Sequence, residues 1–171
     1  TLNTVTNVHG KVVITFTSSF KEEINVKGNG ASIADADVTP SVNDNTDFSN
    51  VGVNSPVTKT FTIENTGTGT LFISGVSVTG TNASEFVASS VPSSVSAGNS
   101  QTFNITFTPT AAGSRTAVVH IANSDCNEAD YDFAIQGTGV TCAAPTVPTV
   151  SATLSSICSG NSTTLSITSG T

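Results

Sequence analysis

Residues 58–80, TKTFTIENTGTGTLFISGVSVTG, constrain the fold more than any other stretch of the chain. Phe61 and Ile63 fall on one face, and Thr60, Thr62 and Glu64 on the other. That period of two marks a half-buried β-strand. Asn65-Thr66-Gly67-Thr68-Gly69 follows, made of residues that tolerate positive φ or bond their own backbone, so the chain turns there. Leu71-Phe72-Ile73 and Val76 with Val78 resume extended structure, and Gly75 between them predicts a bulge. The unit reads as a hairpin. One hairpin cannot close an apolar interior alone, so further strands must cover its inner face.

Composition agrees. Only 10% of the 171 residues are charged, Met and Trp are absent, and there is one Tyr. Long-chain helix formers are scarce and β-branched residues abundant, which points to an all-β fold. The net charge is -7 and the five Lys and Arg are widely spread. Nucleic acid and anionic membrane are therefore poor partners, because both need clustered positive charge. No apolar run approaches the roughly 20 residues of a membrane-spanning helix. No signal-peptide pattern is visible, and Thr1 reads as a mature or trimmed start.

The remaining strands are read in order. Lys11–Thr17 is a good strand with no evident partner before it, either the last strand of a preceding domain or one in need of an acceptor. Glu23-Ile24-Asn25-Val26 opens the complete domain, and Gly28-Asn29-Gly30 ends its first strand. Residues 34–50 are expected to be a loop with Phe48 as their one core candidate. Glu85-Phe86-Val87 is a short strand, and residues 91–100 are a connection. Residues 101–108 alternate most cleanly, with Phe103, Ile105 and Phe107 inward, and Pro109 stops the ladder. Ala117, Val119 and Ile121 face the core from residues 114–122, with Arg115 and His120 at edge or intervening positions. Tyr131, Phe133 and Ile135 are buried from the last strand, and Gly137-Thr138-Gly139 closes the domain. About seven short strands separated by turn signals describe a β-sandwich.

The expected division is a strand extension at 1–20, the sandwich at 21–140, a Pro-containing linker at 141–149, and an incomplete second unit or strand extension at 150–171. In that last segment residues 150–154 and 163–167 look like strands. Three cysteines make an odd count. If residues 131–138 form one strand, Cys126 and Cys142 lie about 25 Å apart in level. That exceeds the roughly 7 Å Cα separation a disulfide spans. Cys126 is read as unpaired or bridging to a neighbour. Cys142 can pair with Cys158, or either can pair outside this segment.

With the strands placed, residues 22–139 resemble the bacterial choice-of-anchor type D repeats. These are related to the immunoglobulin-like domains named after centrosomal, spindle-pole and hydrocephalus proteins. The stretches carrying the resemblance are EINVKGNGASIADADVTP (23–40), FTIENTGTGTLFISGVSVTG (61–80), SVSAGNSQTFNITFTPTAAGSRTAVVHIAN (94–123) and YDFAIQGTG (131–139). Residues 141–171 resemble the start of an immunoglobulin-like repeat of secreted Bacteroidetes proteins, in which the cysteine at the position of Cys158 pairs with one further along. The resemblance implies an immunoglobulin-like sandwich in an extracellular, multidomain protein, often associated with adhesion or gliding and exported by the type IX system. It implies no catalytic residues. The chain departs from antibody-type domains, which have a buried Trp and an inter-sheet Cys pair.

Candidate chemistry is thin. His9 and His120 are the two imidazoles, and His120 sits among packing residues, so it reads as an exposed strand residue rather than a base. The GTGTG tract is turn chemistry rather than a phosphate cradle. The cysteines and histidines lack zinc spacing. Asp35, Asp37, Asp44 and Asp47, with Asn43 and Asn45, place hard oxygen ligands close together, the donor type that suits Ca²⁺. Acidic loop residues are more often solvated or bonded to their own turns. Asp125, Glu128, Asp130 and Asp132 form a second acidic loop. Sugar stacking lacks exposed aromatics, because alternation places the single Tyr inward.

The expected function is a non-catalytic structural module of a secreted fibrous or adhesive surface protein, with neighbouring domains or other copies of itself as partners. One alternative is a filament subunit in which Val12, Ile14 and Phe16 are donated to the sheet of another copy. Another is a glycan- or calcium-binding surface domain. No cofactor is required by the first two.

Overall fold

The computed structural model describes residues 2–8, 11–17, 21–141, 149–152, 159 and 165–168, with side chains described for 21–141 and 159. Chain contacts divide it into two units, Thr1–Thr141 and Cys142–Thr171.

In the first unit, ten strands form two five-stranded sheets, where the sequence predicts about seven. The first sheet has the order β4 (Ala31–Ile33), β3 (Ile24–Gly28), β6 (Val57–Asn65), β10 (Ser100–Phe107), β8 (Phe86–Ser89). The second has the order β5 (Asp47–Gly52), β12 (Asp130–Val140), β11 (Gly113–Asn123), β7 (Leu71–Thr79), β9 (Ser94–Val95). Alternation decides what each strand buries. Phe61 and Ile63 of β6, Phe103, Ile105 and Phe107 of β10, Val119 and Ile121 of β11, and Phe133 and Ile135 of β12 are fully buried. The nine side chains come from facing sheets and fill one interior. Phenyl rings carry the lower end of it: Phe86 stacks on Phe107 at 4.4 Å, and Phe48 meets both edge-on at 5.6 Å.

Four sequence expectations change. Residues 58–80 are not a hairpin: β6 and β7 lie in different sheets, so the turn carries the chain across the core. Residues 34–50 are not all loop, because β5 pairs parallel with β12 and buries Val51 as well as Phe48. Residues 91–100 contain β9, whose Val95 is buried. Residues 137–139 do not close the domain but continue β12, opposite Gly113, Ser114 and Arg115. The bulge expected at Gly75 is present: Gly75 faces Ala122 and Ile73 faces Asn123, leaving Ser74 as the extra residue.

Lys11–Thr17 is β2, and it has a partner. β1 (Leu2–Val8) lies antiparallel to it, with Val12 opposite Asn7, Ile14 opposite Val5 and Phe16 opposite Asn3. Asparagine and threonine in residues 2–8 dilute the apolar signal that would have revealed β1. In the second unit, β13 (Thr149–Ala152) pairs antiparallel with β14 (Leu165–Thr168). Pro145, Pro148, Cys142 and Cys158 lie outside the described residues.

The sandwich of residues 21–141 has two poles. At one, Ile24 begins β3, Asn65 ends β6, and residues 123–130 lead into β12; the backbone N–H of Ile24 donates to Asp125 Oδ2 at 3.0 Å. At the other, Val140 ends β12 beside Gly52, and the N–H of Val53 donates to the Val140 carbonyl at 2.9 Å. β12 runs from the first pole to the second, a rise of about 33 Å at ~3.3 Å per residue. The chain therefore enters the sandwich at one pole and leaves it at the other.

Candidate functional site

The four aspartates expected to gather an ion each have separate hydrogen-bond partners. Asp37 accepts from the N–H and hydroxyl of Thr39, and Asp44 from those of Thr46. Asp47 accepts from the Ser49 N–H and from Gln136 Nε2. The bonds to Thr39, Thr46 and Ser49, each two residues on, are those by which Asp fixes a turn, whereas the one from Gln136 ties β5 to β12. Asp35 instead reaches the second acidic loop, accepting from the Asp132 N–H at 2.9 Å.

Among the described residues, the carboxylates whose oxygens all lie within 4.8 Å of one another are Glu23, Asp125 and Glu128. They meet at the entry pole, although about a hundred residues separate Glu23 from the other two. Asp125 is fully buried, and its oxygens accept from the N–H groups of Ile24 and Asn127, at 3.0 and 3.2 Å. Its work is to pin the β11–β12 loop onto the start of β3. Partial burial raises the pKa of Glu128 above the usual carboxylate range, and the charges of Asp35, Asp125 and Glu23 add to the rise.

A second polar hub lies at the same pole. Asn65 is buried; its Nδ2 donates to the carbonyls of Gly69 and Val95 at 2.7 and 2.9 Å, and its Oδ1 accepts from the Gly67 N–H at 3.1 Å. Its own N–H and carbonyl bond Asn99 and Gly98. An open depression of about 390 Å³ lies over this hub, lined by Glu64, Thr66 and Ser100 among others. At the exit pole the buried carboxylate of Glu85 takes a 2.5 Å bond from the Thr110 hydroxyl and faces Arg115 Nε at 3.3 Å.

His120 is half-buried rather than exposed, on a strand central to its sheet, not at its edge. Its Nε2 lies 3.0 Å from Thr79 Oγ1 and its Nδ1 3.0 Å from Asp130 Oδ2. The connectivity is hydroxyl, imidazole, carboxylate, but it stands on the open outer face of β7 and β11 and cross-links two strands to the start of a third. Beside it, a largely apolar groove of about 370 Å³ runs between Val38 and Pro40 on one side and Gly80 and Thr81 on the other, floored by Val118 and Ala134. Phe72 and Val38 are exposed apolar side chains, and Cys126 is exposed and has no disulfide partner among the described residues. Among the described residues no helix is long and apolar enough to cross a membrane.

The buried polar side chains thus hold loops to strands. The sequence offers Asp44 as a candidate ion ligand, Asp125 as part of an acidic loop and Asn65 as a turn residue. It missed Glu85 with Arg115 and the Thr79–His120–Asp130 chain, whose partners come together only once the register is known.

The fold has known counterparts. A crystal structure of a protein of unknown function from Porphyromonas gingivalis W83 superposes with a TM-score of 0.53 at 12% identity, covering 78% of this chain and 60% of that one. This chain therefore spans about 60% of the length of that structure. PapD-like domain 7 of human CEP192 aligns at 16% identity and a TM-score of 0.47, over 81% of this chain and 99% of that domain. The VesB protease of Vibrio cholerae aligns at 12% identity and a TM-score of 0.39, over 70% of this chain and 31% of the protease. No curated protein matches the sequence. A family model for the HYDIN/CFA65/VesB-like, Ig-like domain matches residues 40–138, more than half of the chain. Domains of that family are typically non-catalytic, and the chain belongs to the HYDIN/CFA65/VesB-like Ig-like domain family.

Proposed function

We propose that this chain is a non-catalytic, in-line structural module of an extracellular fibrous or adhesive surface protein, in which neighbouring domains of the same chain are its first partners. The observation that carries this reading is the placement of the sandwich's two chain ends at opposite poles, Ile24 beside Asp125 and Val140 beside Val53. A module threaded pole to pole lengthens the chain it belongs to by its own long dimension. One that entered and left at the same pole would hang off it as a side branch. The buried polar groups support the same reading, since Asn65, Asp125 and Glu85 bond loops to strands. The sequence resemblance to choice-of-anchor type D and secreted Bacteroidetes repeats supplies the extracellular setting.

The test is surface accessibility. Intact cells producing the parent protein are treated with a protease that cannot enter them, and residues 21–141 are followed with an antibody. Loss of the epitope before lysis is expected; full protection until lysis overturns the extracellular reading. The filament alternative loses its motive at the N-terminal end, because β2 already has β1 along one edge. Negative-stain images of the purified chain that show fibres would restore it.

A further inference from the structure

We infer that the sandwich is built to resist tension along the chain, and that it yields in two steps, β3 with β4 first and the β12 ladder second. The inference rests on the reading of the chain as an in-line module and adds how that module carries force.

Force enters at Lys21 and leaves at Thr141. β3 begins at the entry pole and is pulled back out through that pole along its own length. β12 ends at the exit pole and is pulled out along its length in the opposite sense. Both strands are therefore sheared against their neighbours, so all rungs of a ladder carry the load together. A strand pulled sideways from one end loses its rungs one at a time. The five residue pairs of β3 with β6 run from Ile24 opposite Asn65 to Gly28 opposite Phe61. The Asp125 carboxylate adds a side-chain bond at the first of them.

β12 is held harder. Ten residue pairs join it to β11. Its other edge is held in parallel register by β5, and further up by the bonds from Ala36 N–H to the Asp132 carbonyl and from Ala134 N–H to the Asp37 carbonyl. Once β3 gives way, β4 follows, because its register pairs are with β3 alone among the described strands. Tension then arrives at residue 35, at the entry pole, and again acts lengthwise between the 36–52 segment and β12. The module keeps a second hold after the first has slipped.

The experiment is single-molecule stretching of the full chain, with Cys126, Cys142 and Cys158 replaced by Ser and handles attached through Lys21→Cys and Thr141→Cys. An early event that lengthens the chain by about 45–50 Å, the contour of residues 21–34 at ~3.3–3.6 Å per residue, should precede a larger event that releases the rest. Handles at Lys21→Cys and Thr68→Cys give the control. Those residues sit side by side at the entry pole, joined by a 2.6 Å bond from the Thr68 N–H to the Lys21 carbonyl. Pulling there unzips β3 from β6, and β3 should leave at a several-fold lower force. Asp125→Ala should lower the force of the early event and leave the later one unchanged. Equal forces in the two geometries, or release of all 120 or so residues in one step at the lower force, overturns the inference. Those outcomes leave the surface-accessibility result untouched, so the two readings fail separately.

Discussion

The ring of Phe107 occupies the space that a side chain at Gly137 would need: a Cβ built there would stand 2.8 Å from Cδ1 and closer still to Cε1 of that ring. The glycine in β12 is thus set by the phenylalanine facing it from β10, in the opposite sheet. Phe107 is fully buried and packs on Phe86 and Phe48. Phe107→Ala is expected to lower stability by about 3–5 kcal/mol, and Gly137→Ala by about 1–3 kcal/mol through overpacking. The two should not add. With Phe107 truncated, the new methyl enters vacated space, so Gly137→Ala costs less in that background. Urea denaturation of the four proteins checks this. Strict additivity, or a loss below about 1 kcal/mol for Phe107→Ala alone, overturns the contact.

Asn65 yields the second prediction. Its amide answers two carbonyls and the N–H groups of Gly67 and Glu23 at the entry pole. Asn65→Ala leaves those groups buried without partners, at roughly 1–3 kcal/mol for each that water cannot reach. A measured loss of at least about 2 kcal/mol is expected. Amide exchange should accelerate at Gly67, whose N–H the Asn65 side chain accepts, before it does at Phe103 in the centre of β10. A loss of under half a kcal/mol would mean that water replaces the side chain at no cost.

What the sequence discloses follows from which physical signals are local. Strict alternation made β6, β10, β11 and the start of β12 legible together with their core faces, because burial on one side leaves a period of two. β5 is hidden because Ser49 takes a φ of 57°, so its two buried residues, Phe48 and Val51, are three apart rather than two. The crossing from β6 to β7 is hidden because a turn-rich segment does not state which sheet receives the next strand. Gly137 and Gly139 read as a terminus because their reason lies elsewhere in the chain: Phe107 of β10 against the first, Pro109 and Ala111 of the β10–β11 connection against the second. The acidic loops were visible as composition, but their roles depend on partners far along the chain, such as Ile24 for Asp125 and Asp132 for Asp35.

Glu85 and Arg115 form the most buried ion pair among the described residues, with 6% and 17% of their side-chain surfaces exposed. Arg115→Ala strands the carboxylate with only the Thr110 hydroxyl, and about 3 kcal/mol or more should be lost. Replacing both partners, as Glu85→Gln with Arg115→Met, removes the stranded charge and should recover most of that loss. Thermal or urea unfolding of the single and double variants decides it. A double variant as unstable as Arg115→Ala alone would show that shape rather than charge is at stake.

The last prediction concerns alkali. Tyr131 is buried, and its hydroxyl donates to the Ile33 carbonyl across the two sheets. Burial pushes its pKa up to about 12 from the ordinary 10, and the carboxylates of Glu128, Asp35 and Asp37 add to the rise. The folded state therefore holds the phenolic proton more tightly than the unfolded chain does. The stability that comes from this difference is whole below pH 10 and drains away as pH climbs from about 10 towards 12, on the order of 2 kcal/mol in all. Tyr131→Phe lacks the proton and the bond, and leaves the Ile33 carbonyl unpaired, so it should be less stable than the wild type by about 1 kcal/mol near neutral pH. Its own decline with alkali should be shallower, because it has no buried phenol to ionise. The gap between the two proteins should narrow above pH 10, close and then reverse in favour of Tyr131→Phe, while tyrosinate absorbance in the wild type rises together with unfolding. A gap that stays constant across that window would mean that Tyr131 ionises in the folded protein as freely as in the unfolded chain, which its burial between the sheets does not permit.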